Sequence, residues 1–421
     1  MKELLRLKQV RAWDFSDKAH FLYQVTRFLY DGQYGDAFTA YDIRIRPDFS
    51  GSQTVLGKHL LQLTGSFGKD FTPLAQWIYN YVYDGTTPVN IWLEYEKEPS
   101  CQLQLRIQFF QSGAIGDLVK EIIYSEDDLK EPILLDEFER YYLAFCLEAK
   151  GEGELKIGAL HKRYSHGPFG EMTVGAQTLR DSKRQEIFAY FHPGDMKPPL
   201  NIYFSGYRPA EGFEGFVMMR RMGSPFILFS DPRLEGGSFY MGSQELEDQI
   251  VAYIDQYLDW LGFGPKEMNF SGLSMGTFGA LYYGSSYSPH AILVGKPIVN
   301  LGDVAANLKF KRPDEFGTSL DMMQLLVGQV SREGIDLLNQ RFWDRFNQAD
   351  LKDTILAMAY MRDDDYDQLA YPKILEALYD HPVRIISSSR PGRHNDASAP
   401  IVEWFLTQYK EIMERDFGRI E

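Results

Sequence analysis

The sequence predicts an α/β protein: a doubly wound, mostly parallel sheet over residues 186–421, preceded by a β-sandwich-like unit over residues 88–185. Three observations predict it. Beyond about residue 185, compact apolar runs alternate with helix-compatible stretches. From about 88 to 180, apolar and polar residues alternate with period two. A glycine-flanked serine, Ser274, stands where one of the apolar runs meets a helix-compatible stretch.

In the earlier unit, Leu103, Leu105, Ile107 and Phe109 alternate with Gln102, Gln104, Arg106 and Gln108, and Leu143, Phe145 and Leu147 repeat the pattern. This is the signature of half-buried strands. Lys150-Gly151-Glu152-Gly153 reads as a hairpin turn into Leu155 and Ile157, and successive short strands of this kind suggest a sandwich that holds carbohydrate or a partner protein. Residues 1–87 form a mixed segment in which 21–30 and 74–83 read as helices, with 40–45 strand-like between them.

In the later unit the apolar runs are 187–191, 200–204, 225–229, 268–270, 291–294, 354–361 and 383–387. A helix over 244–261 places Leu246, Ile250, Ile254, Leu258 and Leu261 on one face. Ser243 can cap it, Glu245 and Glu247 favour its first turn, and Gly262 can end it. Residues 296–350 interrupt the alternation with a mainly helical insertion, where such folds often carry a lid. Strand–helix alternation builds a parallel sheet covered on both faces.

The 421 residues, 44% hydrophobic and 14% aromatic, are enough for two or more domains with real cores. A net charge of −15 argues against nucleic acid as the main partner, because phosphate binding needs a basic excess. Cys101 and Cys146 are far apart and in no metal-ligand or redox spacing, so they read as thiols in a reducing compartment. The opening MKELLRLKQVRAWDF lacks the apolar run of a signal peptide, and no window approaches the roughly 18 apolar residues of a membrane helix. The expectation is a cytoplasmic protein without a transmembrane segment.

Gly272-Leu273-Ser274-Met275-Gly276 carries the chemistry. It has the G-x-S-x-G pattern between an apolar run and a helix-compatible 277–283. In the α/β-hydrolase type of fold this serine sits on a strained strand-to-helix turn, with glycines where neighbouring backbone leaves no room for a Cβ. The turn lifts the hydroxyl clear of the sheet and aims the N–H of Met275, at a helix N-terminus, towards an oxyanion. A lone pattern of this kind also arises by chance in a chain with 36 glycines; the strand–turn–helix context selects the functional reading.

The base must follow the serine in chain order, after the acid. Of the three later histidines, His290 closes the elbow helix on the wrong side of the sheet, and His381 precedes the strand 383–387 at its N-terminal edge. His394 lies beyond that strand's C-terminal end, where catalytic loops gather, and is the base by elimination. The acid should end the run 354–361, which leads into Arg362-Asp363-Asp364-Asp365-Tyr366-Asp367. Four carboxylates are on offer and one must fix the imidazole. Asp364 is favoured and Asp365 is second, with Asp363 and Asp367 still open. A second oxyanion donor is expected from Gly206 or Tyr207, after the strand 200–204. Arg208 is either a substrate contact or a surface charge. No metal-ligand spacing or nucleotide-phosphate loop is evident, so no cofactor is called for and the acyl donor is not readable from the residues.

The segments FSGLSMGTFGALYYG (270–284), AYMRDDDYD (359–367), SRPGRHND (389–396), IYFSGYR (202–208) and GEGELKIGALHKRYS (151–165) resemble the family of accessory secretory protein two, of the Gram-positive accessory Sec system. The resemblance covers most of residues 150–421 and does not reach the first 90. It implies O-acetylation of N-acetylglucosamine on serine-rich repeat adhesins. It also implies action with sister accessory Sec proteins and the accessory Sec motor during export, docked at the membrane through the translocase. Ser274, Asp364 and His394 fall on the family's catalytic positions; the acid there varies between Asp and Glu. A plain carboxylesterase or deacetylase would use the same residues, and a non-catalytic adaptor of the export complex would use none of them.

Overall fold

The computed structural model describes residues 25–113, 116–235, 237–307, 312 and 316–419. Two sheets organise them. Residues 35–164 build a ten-stranded antiparallel sheet, and residues 176–390 supply an eight-stranded one.

The spine of the first sheet is one strand, Tyr141–Tyr164, paired along one edge with Cys101–Gln111 and Val89–Lys97 and along the other chiefly with Leu60–Trp77. Leu63, Phe67, Leu105, Ile107, Phe145, Leu147 and Leu155 fill its core. In hydrogen bonding this unit is a single sheet, where the sequence suggests a sandwich of two. The hairpin expected at 150–153 is absent: the chain runs straight through, with register shifts at Ala149/Gly151 and Gly151/Glu152. Gly151 (φ 91°) and Gly153 (φ 117°) supply the left-handed backbone of a bulge rather than a turn. A Cβ on Gly151 would stand 2.1 Å from the Ser100 carbonyl oxygen.

The sheet begins earlier than residue 88, with Gly35–Phe38, Ile43–Ile45, Ser52–Leu56, Leu60–Trp77 and Tyr81–Tyr83. The helix expected over 74–83 is instead strand at 74–77 and 81–83 with a bend between, because pairing with residues 141–157 overrides local propensity. The segment 40–45 is a 3₁₀ turn, Ala40–Asp42, followed by the strand Ile43–Ile45. Of the helix expected over 21–30, residues 21–24 lie outside the described residues; Val25 and Thr26 are helical and the chain turns at Arg27.

The second sheet has the spatial order Ala176–Arg180, Glu186–His192, Phe226–Ser230, Leu200–Phe204, Met268–Leu273, Ala291–Gly295, Ile355–Met361, Arg384–Arg390. The first two pairings are antiparallel and the rest parallel. The boundary thus lies before Ala176, not at 185: the short, partly polar strand Ala176–Arg180 pairs with Glu186–His192. Both faces are buried. Ile187, Ala189, Ile202 and Phe204 join one core with Leu246, Ile250 and Phe278, while Phe188, Tyr190 and Tyr203 join another with Phe405 and Tyr409. The helix Gln244–Leu261 forms as its caps suggest: Ser243 Oγ accepts from Leu246 N–H (3.2 Å), and Gly262 ends it at φ 71°. Within the insertion the described helices are Leu301–Ala306, Ser319–Val327 and Arg332–Phe346. Asp321 of the insertion accepts from the Lys58 N–H (3.1 Å) and faces His59 Nδ1 (3.2 Å), tying it to the first sheet.

A buried ionic row joins the two sheets. His161 lies between Glu211 (2.6 Å) and Glu94 (3.0 Å), and Arg163 bonds both Glu211 and Glu186. Burial and the Arg163 charge push the His161 pKa down. The Glu211 charge and the hydrogen bonds that the ring donates to both carboxylates outweigh them and raise it from 6.5 to about 9. The folded state therefore holds this proton more tightly than the unfolded chain does. The stabilisation is complete below pH 6.5 and is lost as pH rises through 9. The thermal midpoint should fall between pH 7 and pH 10, and His161→Gln should flatten that fall by an amount on the order of 1–3 kcal/mol. Parallel melting curves for wild type and variant across this range would contradict the assignment.

Candidate active site

The strand Met268–Leu273 passes into the helix Met275–Gly284 through one residue, Ser274, held at φ 51° and ψ −119°. Such a backbone costs a non-glycine residue on the order of 1–3 kcal/mol and persists only where its surroundings fix it. Here the fixing is explicit. A Cβ on Gly272 would stand 2.2 Å from the Gly276 carbonyl oxygen, and one on Gly276 would stand 2.0 Å from that of Phe204. Ser274 N–H donates to the Gly295 carbonyl (2.8 Å). The Thr277 hydroxyl donates to the Ser274 carbonyl (2.6 Å) and accepts from Ile298 N–H (2.9 Å), stitching the turn to the loop after the next strand.

Ser274 Oγ lies 2.8 Å from His394 Nε2, and His394 Nδ1 lies 2.8 Å from Asp364 Oδ2. His394 is 2% exposed and Asp364 is 7% exposed, so the chain of bonds is largely shielded from water. A carboxylate at Nδ1 accepts the proton there, leaving Nε2 to accept from the serine hydroxyl. Burial raises the Asp364 pKa, but the His394 bond and charge and the N–H groups of Tyr366 and Asp367 bring it below the ordinary carboxylate value. Asp364 is therefore ionised wherever the imidazole works.

The four carboxylates of 363–367 have four different surroundings. Asp363 accepts from Gly392 N–H (3.1 Å) at the exposed rim. Asp365 accepts from the backbone N–H of His394 (3.0 Å) and so seats the histidine without touching its ring. Asp367 is buried and accepts from Val299 N–H, Asn300 N–H (both 2.7 Å) and Asn300 Nδ2 (2.8 Å), anchoring the insertion. Only Asp364 meets the imidazole among them. His290 instead bonds Asp416 (2.8 Å) on the last helix, Ser398–Phe417.

The oxyanion donors are placed less simply. Met275 opens its helix, so its N–H lacks an intrahelical acceptor. Gly206 sits against the turn, where an added Cβ would be 3.0 Å from the Leu273 carbonyl oxygen, but its N–H already donates to Glu214 Oε2 (2.6 Å). The expected Gly206 donor is thus occupied, because the chain loops back eight residues later and lays a carboxylate on it. Tyr207 is exposed. Arg208 is partly buried and ties its loop by donating from Nη1 to the Phe213 carbonyl (2.7 Å).

Sequence reasoning did not find Glu214, Thr277 or Lys296. Lys296 had a signal: it follows the apolar run 291–294 at the sheet's C-terminal edge, where functional loops gather. Beside the site, between the two sheets, lies a cavity of about 210 Å³ whose wall includes Glu94, His161, Tyr207, Arg208, Glu211 and Met275. Among the described residues, no group of three or more His, Cys, Asp or Glu is placed to hold a metal ion. No described helix is long and apolar enough to cross a membrane.

Strand order, the strand–serine–helix turn and the bonded serine, histidine and aspartate define a mixed α/β protein of hydrolase-like architecture. The chain belongs to the family described as the accessory Sec system GspB-transporter, accessory secretory protein two, whose model matches residues 1–419. It is 46% identical over 406 residues to the accessory Sec system protein of this name from Streptococcus gordonii, covering 96% of this chain and 80% of that one. With the Staphylococcus aureus counterpart it shares 45% identity over 394 residues, 93% of this chain and 75% of the relative. A solved structure titled the Glycosylation Associate Protein (Gap123) complex from Streptococcus agalactiae contains a chain that superposes with a TM-score of 0.93 at 40% identity, covering all of this chain and 81% of that one.

Proposed function

We propose that this protein is a serine-dependent O-acetyltransferase that modifies N-acetylglucosamine on serine-rich repeat adhesins and supports their export. The observation that carries the reading is the bonded series Ser274–His394–Asp364 at the C-terminal edge of the parallel sheet. His394 Nε2 takes the hydroxyl proton as Ser274 Oγ attacks the acyl carbonyl of the donor. The Met275 N–H stabilises the tetrahedral oxyanion, which collapses to acetyl-Ser274 as the donor's leaving group departs with the proton from His394. A sugar hydroxyl then gives its proton to His394 and attacks acetyl-Ser274; the ester forms on the sugar and Ser274 recovers its proton. Water in place of the sugar makes the same machinery an esterase or deacetylase.

Intact-mass analysis of the protein and of a glycosylated adhesin fragment, after incubation with candidate acetyl donors, tests this. One acetyl group should appear on Ser274 and then on the glycan. Acetate release without glycan modification would leave the esterase reading.

The same protein acts with sister accessory Sec proteins and the accessory Sec motor on the cytoplasmic side of the translocase. The similar chain of the Glycosylation Associate Protein (Gap123) complex from Streptococcus agalactiae supports the association with sister proteins. A strain carrying Ser274→Ala should secrete the adhesin unacetylated, whereas deletion of the protein should block secretion. One half-buried hydroxyl contributes little to a docking surface, whose energy comes from a few large anchors. Equal export failure, with the mutant protein folded and abundant, would make acetylation itself the export signal.

A further inference from the structure

Glu214 occupies the backbone N–H of Gly206, a donor that the sequence assigns to an oxyanion. The chain leaves the strand Leu200–Phe204 through Ser205 and Gly206 and returns at Glu214, just ahead of the helix Phe216–Arg221. Three contacts fix the carboxylate and its backbone. Oε2 accepts from Gly206 N–H (2.6 Å) and from the Tyr203 hydroxyl (3.1 Å), and Glu214 N–H donates to Ser205 Oγ (3.0 Å). Gly206 lies beside the serine turn, where a Cβ added to it would stand 3.0 Å from the Leu273 carbonyl oxygen. The partner of this N–H is therefore an anionic oxygen at charge-assisted distance, which is what an oxyanion hole is built to hold. One N–H cannot serve two anionic oxygens, and two such oxygens at contact distance repel strongly in a site shielded from water.

A buried cation at the same edge of the sheet is under the influence of this carboxylate. Lys296 follows the strand Ala291–Gly295 at φ 60° and is only 8% exposed. Its backbone N–H donates to the Ala359 carbonyl (2.7 Å) and its ammonium to Ser398 Oγ (3.0 Å). Among the described residues it has no ion pair, and a buried ammonium bonded to a single hydroxyl is poorly compensated. Burial lowers its pKa, and the carboxylates that counter this are Asp364 and Glu214.

We propose that Glu214 is an internal plug of the oxyanion hole, displaced from Gly206 N–H towards Lys296 when an acyl group enters. This rests on the reading of Ser274 as the nucleophile. The resting protein then reacts slowly with small esters and water, and a donor that brings enough binding energy to move the carboxylate is favoured. Glu214 is in this sense a specificity residue.

The test is the rate at which an alkyl fluorophosphonate labels Ser274 in the full chain, read by intact mass and by the Ser274 peptide. Ser274 Oγ bonds to phosphorus, fluoride leaves, and the phosphonyl oxygen takes the oxyanion position. Glu214→Ala should label faster than wild type, by up to the roughly 100- to 1000-fold that one such donor is worth. The isosteric Glu214→Gln, whose amide oxygen still accepts from Gly206 N–H but carries no charge, should label faster by a smaller factor. A merely structural residue gives no gain. Lys296→Met should slow labelling of the wild type, and slow it less in the Glu214→Ala background, because the two positions are coupled. Labelling at the same or a lower rate in both folded Glu214 variants overturns the plug while leaving the nucleophile standing. No labelling of Ser274 in any of the proteins removes the nucleophile and the plug together.

Discussion

Ser274→Ala should lower acyl transfer by about 10⁴-fold or more, and His394→Ala should lower it by the same amount, with the double variant no worse than either. At about 1.4 kcal/mol per decade this is roughly 5.5 kcal/mol of transition-state stabilisation, which one unit of two residues supplies jointly. The geometry explains the equality. The only described hydrogen bond of the Ser274 hydroxyl is to His394 Nε2, so removing either group leaves the other with nothing to do. Ser274→Ala removes no packing from the sheet's two cores, so its far-ultraviolet circular dichroism and melting temperature should stay near wild type. His394→Ala loses the ring contact with Tyr366 and leaves the buried Asp364 without its imidazole, so it should keep its secondary structure at a lowered melting temperature. Turnover of p-nitrophenyl acetate reads the chemistry without the glycan. His381→Ala, beyond the opposite end of the last strand, should leave turnover unchanged. An inactive His381→Ala beside an active His394→Ala would refute the edge argument.

The nucleophile and base were legible because their constraints are local. A serine between glycines at a strand–helix junction states its backbone in five residues, and the clashes at Gly272 and Gly276 are the reason those residues carry no Cβ. His394 was legible by topology, since only one late histidine lies beyond a strand's C-terminal end. The first sheet was not legible. Its strand Leu60–Trp77 carries Gly65, Gly68 and Pro73, which break the alternation, and it is held by residues 146–157, 70 to 96 positions away. Local propensity over 74–83 pointed to helix, and non-local pairing decided otherwise. Ala176–Arg180 failed for a related reason: a five-residue strand with three polar residues has too weak a pattern to show which sheet it joins.

Glu214 illustrates a different limit. Nothing in Ser205-Gly206-Tyr207 says that the amide expected for an oxyanion is taken, because the group that takes it arrives through a return of the loop. Lys296 is similar: its place after a strand was visible, but not its burial without an ionic partner. Contacts made by loop closure have no period and no motif, so they are the part of a site that a sequence hides.

The acid is where this limit has the sharpest consequence, and the structure turns four candidates, of which the sequence favours Asp364 and then Asp365, into distinct expected results. Asp364→Asn should lower turnover by about 10⁴-fold with the fold retained. The amide donates where the carboxylate accepted and so holds the imidazole in the wrong tautomer, with no negative charge to stabilise the imidazolium. Asp365→Asn should cost far less, about 10-fold, because Asp365 seats the backbone of His394 and not its ring. Asp363→Asn, at the exposed rim, should be close to wild type. Asp367→Asn should show its effect in stability: three donors from Val299 and Asn300 converge on one carboxylate, burial raises its pKa, and an amide can accept from only some of them. Leaving one of these N–H groups unpaired in the interior costs about 1–3 kcal/mol, which lowers the melting temperature and loosens the insertion. Turnover and melting temperature measured on all four variants separate the roles. Loss of turnover centred on Asp365 or Asp367, with Asp364→Asn active, would place the acid elsewhere than the bond to His394 Nδ1 indicates.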